Sequence, residues 1–359
     1  MNQLDKARQQ IDEIDEKIAK LFEKRMQAVQ QVIAYKKQTG KAIFDQNREK
    51  QVIQKNIAYI QNPELKTYYH YWQQNLMDIS KAYQQEILGK NIVAYQGVEG
   101  AFSHIALQHL FPYATAEKYS TWREVFEAVQ QGKASYGVLP FENSTTGDIG
   151  EVLDLCFTQE CVIWQMYDLK IVQNVLGLPN ATIKDIKTVY SHPQGLRQSA
   201  KFLNQLQLKG VEYPNTAMAA HAVAKAGDTS IAAIASVETA HLYGLKVLAE
   251  SVNDTQTNTT RFIVIAPNLK PAGNRFSILF TVNHAAGKLA TVVAEIAKQG
   301  FNMECIKSRP LPNSPWEYYF YVEIMGNMAD QATQNLIDSL KKICPVIKLL
   351  GVYDKEDNL

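Results

Sequence analysis

No sign of charge dominates this chain. Its formal net charge is +1 over 359 residues, which gives no electrostatic case for DNA, RNA or an anionic membrane as a partner. No stretch approaches the ~20 uninterrupted apolar residues of a membrane span. Residues 1–20 alternate acids and bases and hold no apolar core of the kind a secretory leader needs. Cysteine is scarce: Cys156, Cys161, Cys305 and Cys344 form neither a disulfide framework nor a paired zinc spacing. The histidines are scattered, and His104 with His109 lacks the interval that sets two metal ligands on one helical face. The stretch GVEGAF (97–102) lacks the G-x-G-x-x-G fingerprint, which weighs against a dinucleotide-dependent dehydrogenase. A reduced, cytoplasmic protein without metal, cofactor, membrane or nucleic-acid partner is the expectation.

What is present divides into three textures, and a chain of this length should hold two or three domains. In residues 1–88, Leu4, Ile11, Ile18 and Val32 fall seven or fourteen apart, and Ala7, Ile14, Leu21 and Ala28 fill a second seam. This predicts a long helix to about Gln38 closed by Gly40, a second from about Asp45 to Ile60, and a third over about Glu64–Ile87. Residues 91–267 alternate short apolar strands (NIVAYQG, ASYGVLPF, KTVYSH, TSIAAIAS, RFIVIA) with helices, as an α/β domain of two lobes does. After the PNLKPAGN linker, residues 274–355 read strand, helix, strand, strand, helix, strand. That order suits a ferredoxin-like βαββαβ module.

The helical segment places Arg25 on its apolar seam, with Arg8 and Lys36 one step aside. A cation on such a seam is costly unless something negative meets it. Arg8 and Lys36 lie ~42 Å apart along a straight helix, too far to share a small ligand within one chain. Two antiparallel copies would bring Arg8 of one to Arg25 of the other. Arg48 and Glu49 would enter from the second helix, and Ser80 with Gln84, one turn apart, from the third. These positions, with the DxxRE of Asp45–Arg48–Glu49, resemble the all-helical chorismate mutase family, an intertwined dimer. That resemblance implies that Arg8 and Arg25 bind the carboxylates of chorismate, and that Lys36 and Gln84 donate to its ether oxygen. It also implies that Glu49, helped by Asp45, holds the ring hydroxyl while Arg48 and Ser80 complete the wall.

In the middle segment, strand–polar turn–helix junctions recur at GVEGAFSHIAL, PFENSTTGDIGEVLDL, VYSHPQGLRQSAKFL and IASVETAHLYGL. Free N–H groups at helix starts attract anions, and several such turns suggest a cleft for a small acid. GAFSH, ENSTTG, YSHPQ and the TRF of residues 260–262 together resemble prephenate dehydratase. The resemblance implies an essential Thr260 with Arg261 beside it, a donor turn of Asn143, Ser144 and Thr145, and a second-lobe wall of Ser191, His192 and Gln198. Thr260 then donates to the leaving hydroxyl of prephenate, and Arg261 with the donor turns anchors carboxylates.

GKLATVVAEIAKQGFNMECIKSRP resembles the ACT regulatory domain that follows such dehydratases. Gly287, Leu289, Asn302, Ser308, Arg309 and Pro310 match its phenylalanine-binding motifs, while Lys307 stands where the family usually has glutamate and Lys288 replaces a small residue. The combined reading is a bifunctional enzyme of phenylalanine biosynthesis acting on chorismate and prephenate, controlled by L-phenylalanine and assembled as a homodimer or homotetramer. A two-lobed binding protein with a helical dimerisation arm is the alternative. It leaves Arg25 and the Asp45–Arg48–Glu49 cluster without a reason.

Overall fold

The computed structural model describes residues 2–39, 46–89, 92–311 and 314–354, side chains excepted at 46, 47, 50 and 85. The chain forms two compact units. One ends at Ile92 and takes in Tyr113–Thr115, and the other holds the rest from Val93.

The first unit is helical: α1 (Gln3–Thr39), α2 (Gln46–Ile57) and α3 (Lys66–Ile87). Asn2 and Asp5 cap the start of α1 reciprocally, each side chain accepting from the other's backbone N–H. A short 3₁₀ turn, Pro63–Leu65, leads into α3, with Asn62 accepting from Glu64 N–H. Only Ile33 of α1 is buried. Leu4, Ile11, Ile14, Ile18 and Leu21 all remain more than 40% exposed. The heptad seam read from the sequence is therefore present on α1, and this chain leaves most of it uncovered.

The second unit begins with a lobe whose strands are β1 (Ile92–Gln96), β2 (Thr115–Tyr119), β3 (Tyr136–Asn143), β4 (Gly147–Asp148) and β5 (Val162–Lys170). Its helices are α4 (Phe102–Leu110), α5 (Trp122–Gln130) and α6 (Gly150–Thr158). The chain then builds a second lobe from β6 (Asn174–Gly177), β7 (Thr188–Ser191), β8 (Lys209–Glu212), β9 (Ile231–Ala235) and β10 (Lys246–Ala249). Its helices are α7 (Pro193–Gln198), α8 (Ala200–Gln205), α9 (Thr216–Ala226) and α10 (Val237–Tyr243). It returns to the first lobe through β11 (Thr259–Ala266). That strand runs antiparallel between β5 and β3, and Phe262–Ala266 are all buried. The uninterrupted apolar run predicted such a strand. The second-lobe sheet has the order β10-β6-β9-β7-β8, with β9 wholly buried between apolar clusters on its two faces.

Each strand expected from the sequence is present. The structure adds β2, β4, β5, β6, β8 and β10. β2 reads TAEKY with no apolar run, β5 is only partly buried along most of its length, and the other four span only two to four residues, too short to show a period. β5, VIWQMYDLK, carries β-prone residues but not the strict apolar–polar alternation that marks a half-buried strand.

The C-terminal module comprises β12 (Arg275–Thr281), α11 (Lys288–Lys298), β13 (Met303–Pro310), β14 (Tyr318–Met325), α12 (Gln331–Ile343) and β15 (Ile347–Tyr353). Its strand order, β13-β14-β12-β15, is the ferredoxin-like arrangement, with helices and sheet closing on Phe276, Ile278, Val292, Ile296, Leu336 and Leu340. β15 meets β5 at Gly351 and Ile163, which makes one ten-stranded sheet of the first lobe and this module. A Cβ on Gly351 would stand 2.6 Å from the Ile163 carbonyl oxygen, so the junction needs glycine. Among the described residues no helix is long and apolar enough to cross a membrane.

Two candidate active sites

In the helical unit, α1 and α3 bring together the polar residues that the sequence spaced so far apart. The Arg25 guanidinium donates to Ser80 Oγ. Ser80 is anchored in turn by donation to the Leu76 carbonyl at 2.7 Å. Farther along both helices, Lys36 Nζ lies 3.4 Å from Gln84 Oε1, and Gln84 donates to the Ser80 carbonyl at 3.1 Å. Ser80 and Gln84 are buried, and burial lowers the pKa of Arg25 from its ordinary value. The second helix contributes Glu49, which pairs with Lys81 at 3.1 Å, and Lys81 also holds Asp78 at 2.8 Å. Burial opposes the charge on Lys81, but Asp78 and Glu49 outweigh it and raise its pKa. Lys81 escaped the sequence reading. Its signal was its place beside Ser80 and one helical turn before Gln84.

Not every residue expected at this site joins the cluster. Arg8 is exposed and lies ~26 Å from Arg25 by helical rise, so α1 of the same chain cannot deliver it. Arg48 is exposed at the start of α2. Asp45 and Gly40 lie outside the described residues.

In the second unit, Asn143 at the end of β3 and Thr260 at the start of β11 are cross-strand partners. The Asn143 amide donates to Thr260 Oγ1 at 2.9 Å and to Asn258 Oδ1 at 2.9 Å. Its own oxygen accepts from the backbone N–H groups of Thr145 (3.0 Å) and Thr146 (3.2 Å) and from the Thr145 hydroxyl (2.6 Å). Asn143 is thus a buried hub tying the ENSTTG turn to the TRF strand. Because Thr260 accepts from Asn143, its hydroxyl proton stays available for another acceptor.

These two residues open onto a cleft of about 150 Å³. The opposite wall is the second lobe, with His192 and Gln194 from the start of α7, Gln198 from its end, and Asn215 and Thr216 from the start of α9. The lobes are bridged across it: Gln198 donates to Thr145 Oγ1 at 3.1 Å and Gln194 to Thr146 Oγ1 at 3.3 Å. His192 accepts from Gln194 N–H, and burial, followed by nearby Arg197, depresses its pKa. Gln173 also lines the cleft. It is buried, and its Oε1 has no hydrogen-bond partner among the described residues. Gln194 lies in the YSHPQ junction without being singled out there, and Gln173 sits just before β6, a strand the sequence reading did not name. Among the described residues that line the cleft, none is lysine or arginine.

Four residues expected at binding surfaces stand elsewhere. Arg261 follows Thr260 on a strand, so it points to the opposite face. There it makes a bidentate pair with Asp168 at 2.8 and 3.1 Å, which raises its pKa, and does not line the cleft. Ser191 is fully buried and donates to the Ile234 carbonyl at 2.8 Å, behind the wall it was expected to form. Ser144 spends its hydroxyl on the turn itself, donating to the Thr257 carbonyl and accepting from Thr259 N–H. In the C-terminal module, Arg309 forms a bidentate pair with Asp154 of α6. It is therefore turned away from Asn302, Ser308 and Pro310, which are exposed along with Gly287, while Leu289 packs partly into the core.

Two family models match the chain: chorismate mutase type II over residues 7–85 and prephenate dehydratase over residues 93–270. A bifunctional chorismate mutase/prephenate dehydratase of Buchnera aphidicola is 30% identical, over 97% of this chain and 96% of its own. Among solved structures, the prephenate dehydratase of Staphylococcus aureus matches with a TM-score of 0.65 and 28% identity, covering 73% of this chain and 99% of that one. A prephenate dehydratase of Arthrobacter aurescens in complex with L-phenylalanine matches with a TM-score of 0.68 and 24% identity, over 75% of this chain and 91% of its own. That last likeness shows a shared fold.

Proposed function

The chain belongs to the bifunctional chorismate mutase/prephenate dehydratase family, and on that footing we propose how its residues divide the two reactions. The helical unit rearranges chorismate to prephenate, and the α/β unit converts prephenate to phenylpyruvate.

The rearrangement is unimolecular. It needs the flexible dianion held in its reactive shape and donors aimed at the ether oxygen, where negative charge grows as the bond breaks. Lys36 and Gln84 are that pair, and their closeness is what supports the assignment. Arg25, positioned by Ser80, binds one carboxylate. Glu49, held by Lys81, accepts from the ring hydroxyl, and Arg48 of the same helix is assigned to that wall. Arg8 of a second copy completes the site. The uncovered seam of α1 is consistent with an intertwined homodimer, since five large apolar residues in water call for a covering helix.

In the second site the electrons of the breaking C–CO₂ bond move into the ring as the hydroxyl departs. The observation that carries this reading is the Asn143–Thr260 hydrogen bond, which leaves the threonine proton free to meet the leaving oxygen. Carboxylate recognition falls to neutral groups, since Arg261 is committed to Asp168. Those groups are His192, Gln194 and Gln198, and the N-termini of α4 and α9, whose free N–H groups favour anions. Asn143 and Thr145 complete the donor turn.

The C-terminal module acts as an ACT domain through which L-phenylalanine regulates the dehydratase, and cytoplasmic residence fits the free cysteines. A dehydratase that shares the fold is complexed with that amino acid. Gly287, Leu289, Asn302, Ser308 and Pro310 are the effector-side residues, and Arg309 joins them only by releasing Asp154. The test is direct: purified full-length protein should consume chorismate and release phenylpyruvate without added cofactor. Millimolar L-phenylalanine should lower the second rate. Accumulation of prephenate with no phenylpyruvate would overturn the dehydratase half, and activity flat to millimolar phenylalanine would overturn the regulatory reading.

A further inference from the structure

Thr260 and Asn143 face each other across β11 and β3, and the next pair along is Arg261 with Glu142. Strand alternation sends this second pair through to the far side of the sheet, away from the cleft. On that side the C-terminal module meets it. Lys307 Nζ of β13 lies 2.8 Å from Glu142 and 2.5 Å from Asp148. Glu142 and Asp148 are themselves cross-strand partners, one on each leg of the hairpin, next to the Asn143–Gly147 pair that closes its tip at Ser144–Thr146. The Lys307 side chain is only 7% exposed, and its ammonium also sits 5.2 Å from the centroid of the Phe141 ring.

Neighbouring contacts share this layout. Arg309, two residues on and so on the same face of β13, grips Asp154 of α6, the helix that follows the hairpin. Gly150 makes room for that guanidinium, since a Cβ there would overlap it. Arg261 lies 3.9 Å from Glu323 of β14, and Glu323 accepts from the Tyr321 hydroxyl at 2.8 Å. Two basic residues of one module thus face three acids that frame the catalytic hairpin of the other. Without Lys307, Glu142 and Asp148 would be like charges directly opposite each other in a partly dry setting, which is destabilising. Burial opposes the lysine's charge, but the two carboxylates outweigh it and raise its pKa.

We propose that Lys307 is a positioning residue for the dehydratase reaction: from the C-terminal module it clamps the two legs of the hairpin together, and so fixes Asn143 and, through Asn143, the hydroxyl of Thr260. The inference rests on the reading of Thr260 and Asn143 as dehydratase residues. It assigns to Lys307 a task turned away from any effector, on the inner face of β13. It also makes the C-terminal module a structural part of the dehydratase site whether or not an effector is bound.

The experiment uses the full chain and measures both reactions, the mutase rate serving as an internal control. Lys307→Met should lower dehydratase kcat at least tenfold with KM changed less than threefold and mutase kcat unchanged. Lys307→Arg should restore most of the loss. In an Asn143→Ala background the Lys307→Met penalty should shrink below twofold, because the clamp acts through that side chain. A dehydratase kcat within twofold of the parent, or a full penalty retained in the Asn143→Ala background, overturns the proposal. Should Lys307→Met not fold, Glu142→Gln carries the test, since it removes one anchor from a more exposed position. Its dehydratase kcat should fall at least threefold at constant KM, and a kcat within 1.5-fold of the parent overturns the clamp. Thr260→Val in the same assay separates the two ideas: if it keeps most dehydratase activity, the reading of the catalytic residues has failed.

Discussion

Thr260 and Arg261 are adjacent, yet they belong to different surfaces. The motif TRF names both without saying which of them meets the substrate. One residue along a strand reverses direction, so threonine faces the cleft and arginine faces Asp168. The same scale separates the two reactions. Lys36→Ala should lower mutase kcat by ~10²–10³ while KM moves only a few-fold, because a donor to the ether oxygen acts mainly in the transition state. Dehydratase turnover of added prephenate should be unchanged, and a loss confined to KM would contradict the role. Thr260→Val, which keeps shape and removes the donor, should cost the dehydratase at least a hundredfold and leave chorismate consumption intact. Following chorismate and phenylpyruvate absorbance in one sample reads both. At the cation-rich end of the molecule the sequence was candid only in part. Arg25 on an apolar seam called for a negative partner; the structure gives it the neutral Ser80 hydroxyl, while Glu49 pairs with Lys81.

At the scale of elements, strong periodicity was legible and weak periodicity was not. The heptad of α1 and the apolar runs of β9, β11 and β12 could be placed from residue type alone, because burial on one stripe or both faces leaves a pattern. β2 and β5 left no such trace. The joint between β15 and β5 was equally invisible, since it depends on one glycine at one register position. Gly351→Ala would set a methyl 2.6 Å from the Ile163 carbonyl oxygen and 2.7 Å from its Cβ, and a backbone atom cannot swing aside as a side-chain tip can. We expect a loss of ~1–3 kcal/mol in the urea unfolding of the α/β unit, in the range of other overpacked sites. The mutase rate should not change. An unaltered urea midpoint would show that the sheet tolerates a shift there.

For the whole molecule, the distribution of buried titratable groups sets a pH limit. His104 and His192 both have pKa values depressed chiefly by burial. Each therefore binds a proton less readily folded than unfolded, where the ordinary value is about 6.5. Stability should be flat above that value and fall as the pH drops below it, because there the unfolded chain takes up protons that the folded one refuses. Asp154, its carboxyl lowered by Arg309 and Tyr319 against the opposing effect of burial, adds to the loss at still lower pH. Thermal unfolding of the α/β unit between pH 8 and pH 5 checks this, and His192→Asn should remove part of the acid limb. A midpoint that rises on acidification from pH 7 would contradict the sign. Protonated His192 could not accept from Gln194 N–H, so the second-lobe wall should loosen in the same range.

The sequence by itself determined the three helices of the first segment, the alternation of strands and helices that follows it, and the buried run of β11. It also determined that two donor-rich turns and a cation-bearing seam exist, because those follow from the chemistry and spacing of neighbours in the chain. Only the tertiary structure decided which side chains meet. Asn143 lies far along the chain from Thr260, and Lys307 farther still from Glu142, so no local pattern records their pairing. The physical reason is that side-chain direction alternates along a strand, while the face that receives a partner is chosen by sheet order and register. Those are properties of the packed chain, not of any segment within it.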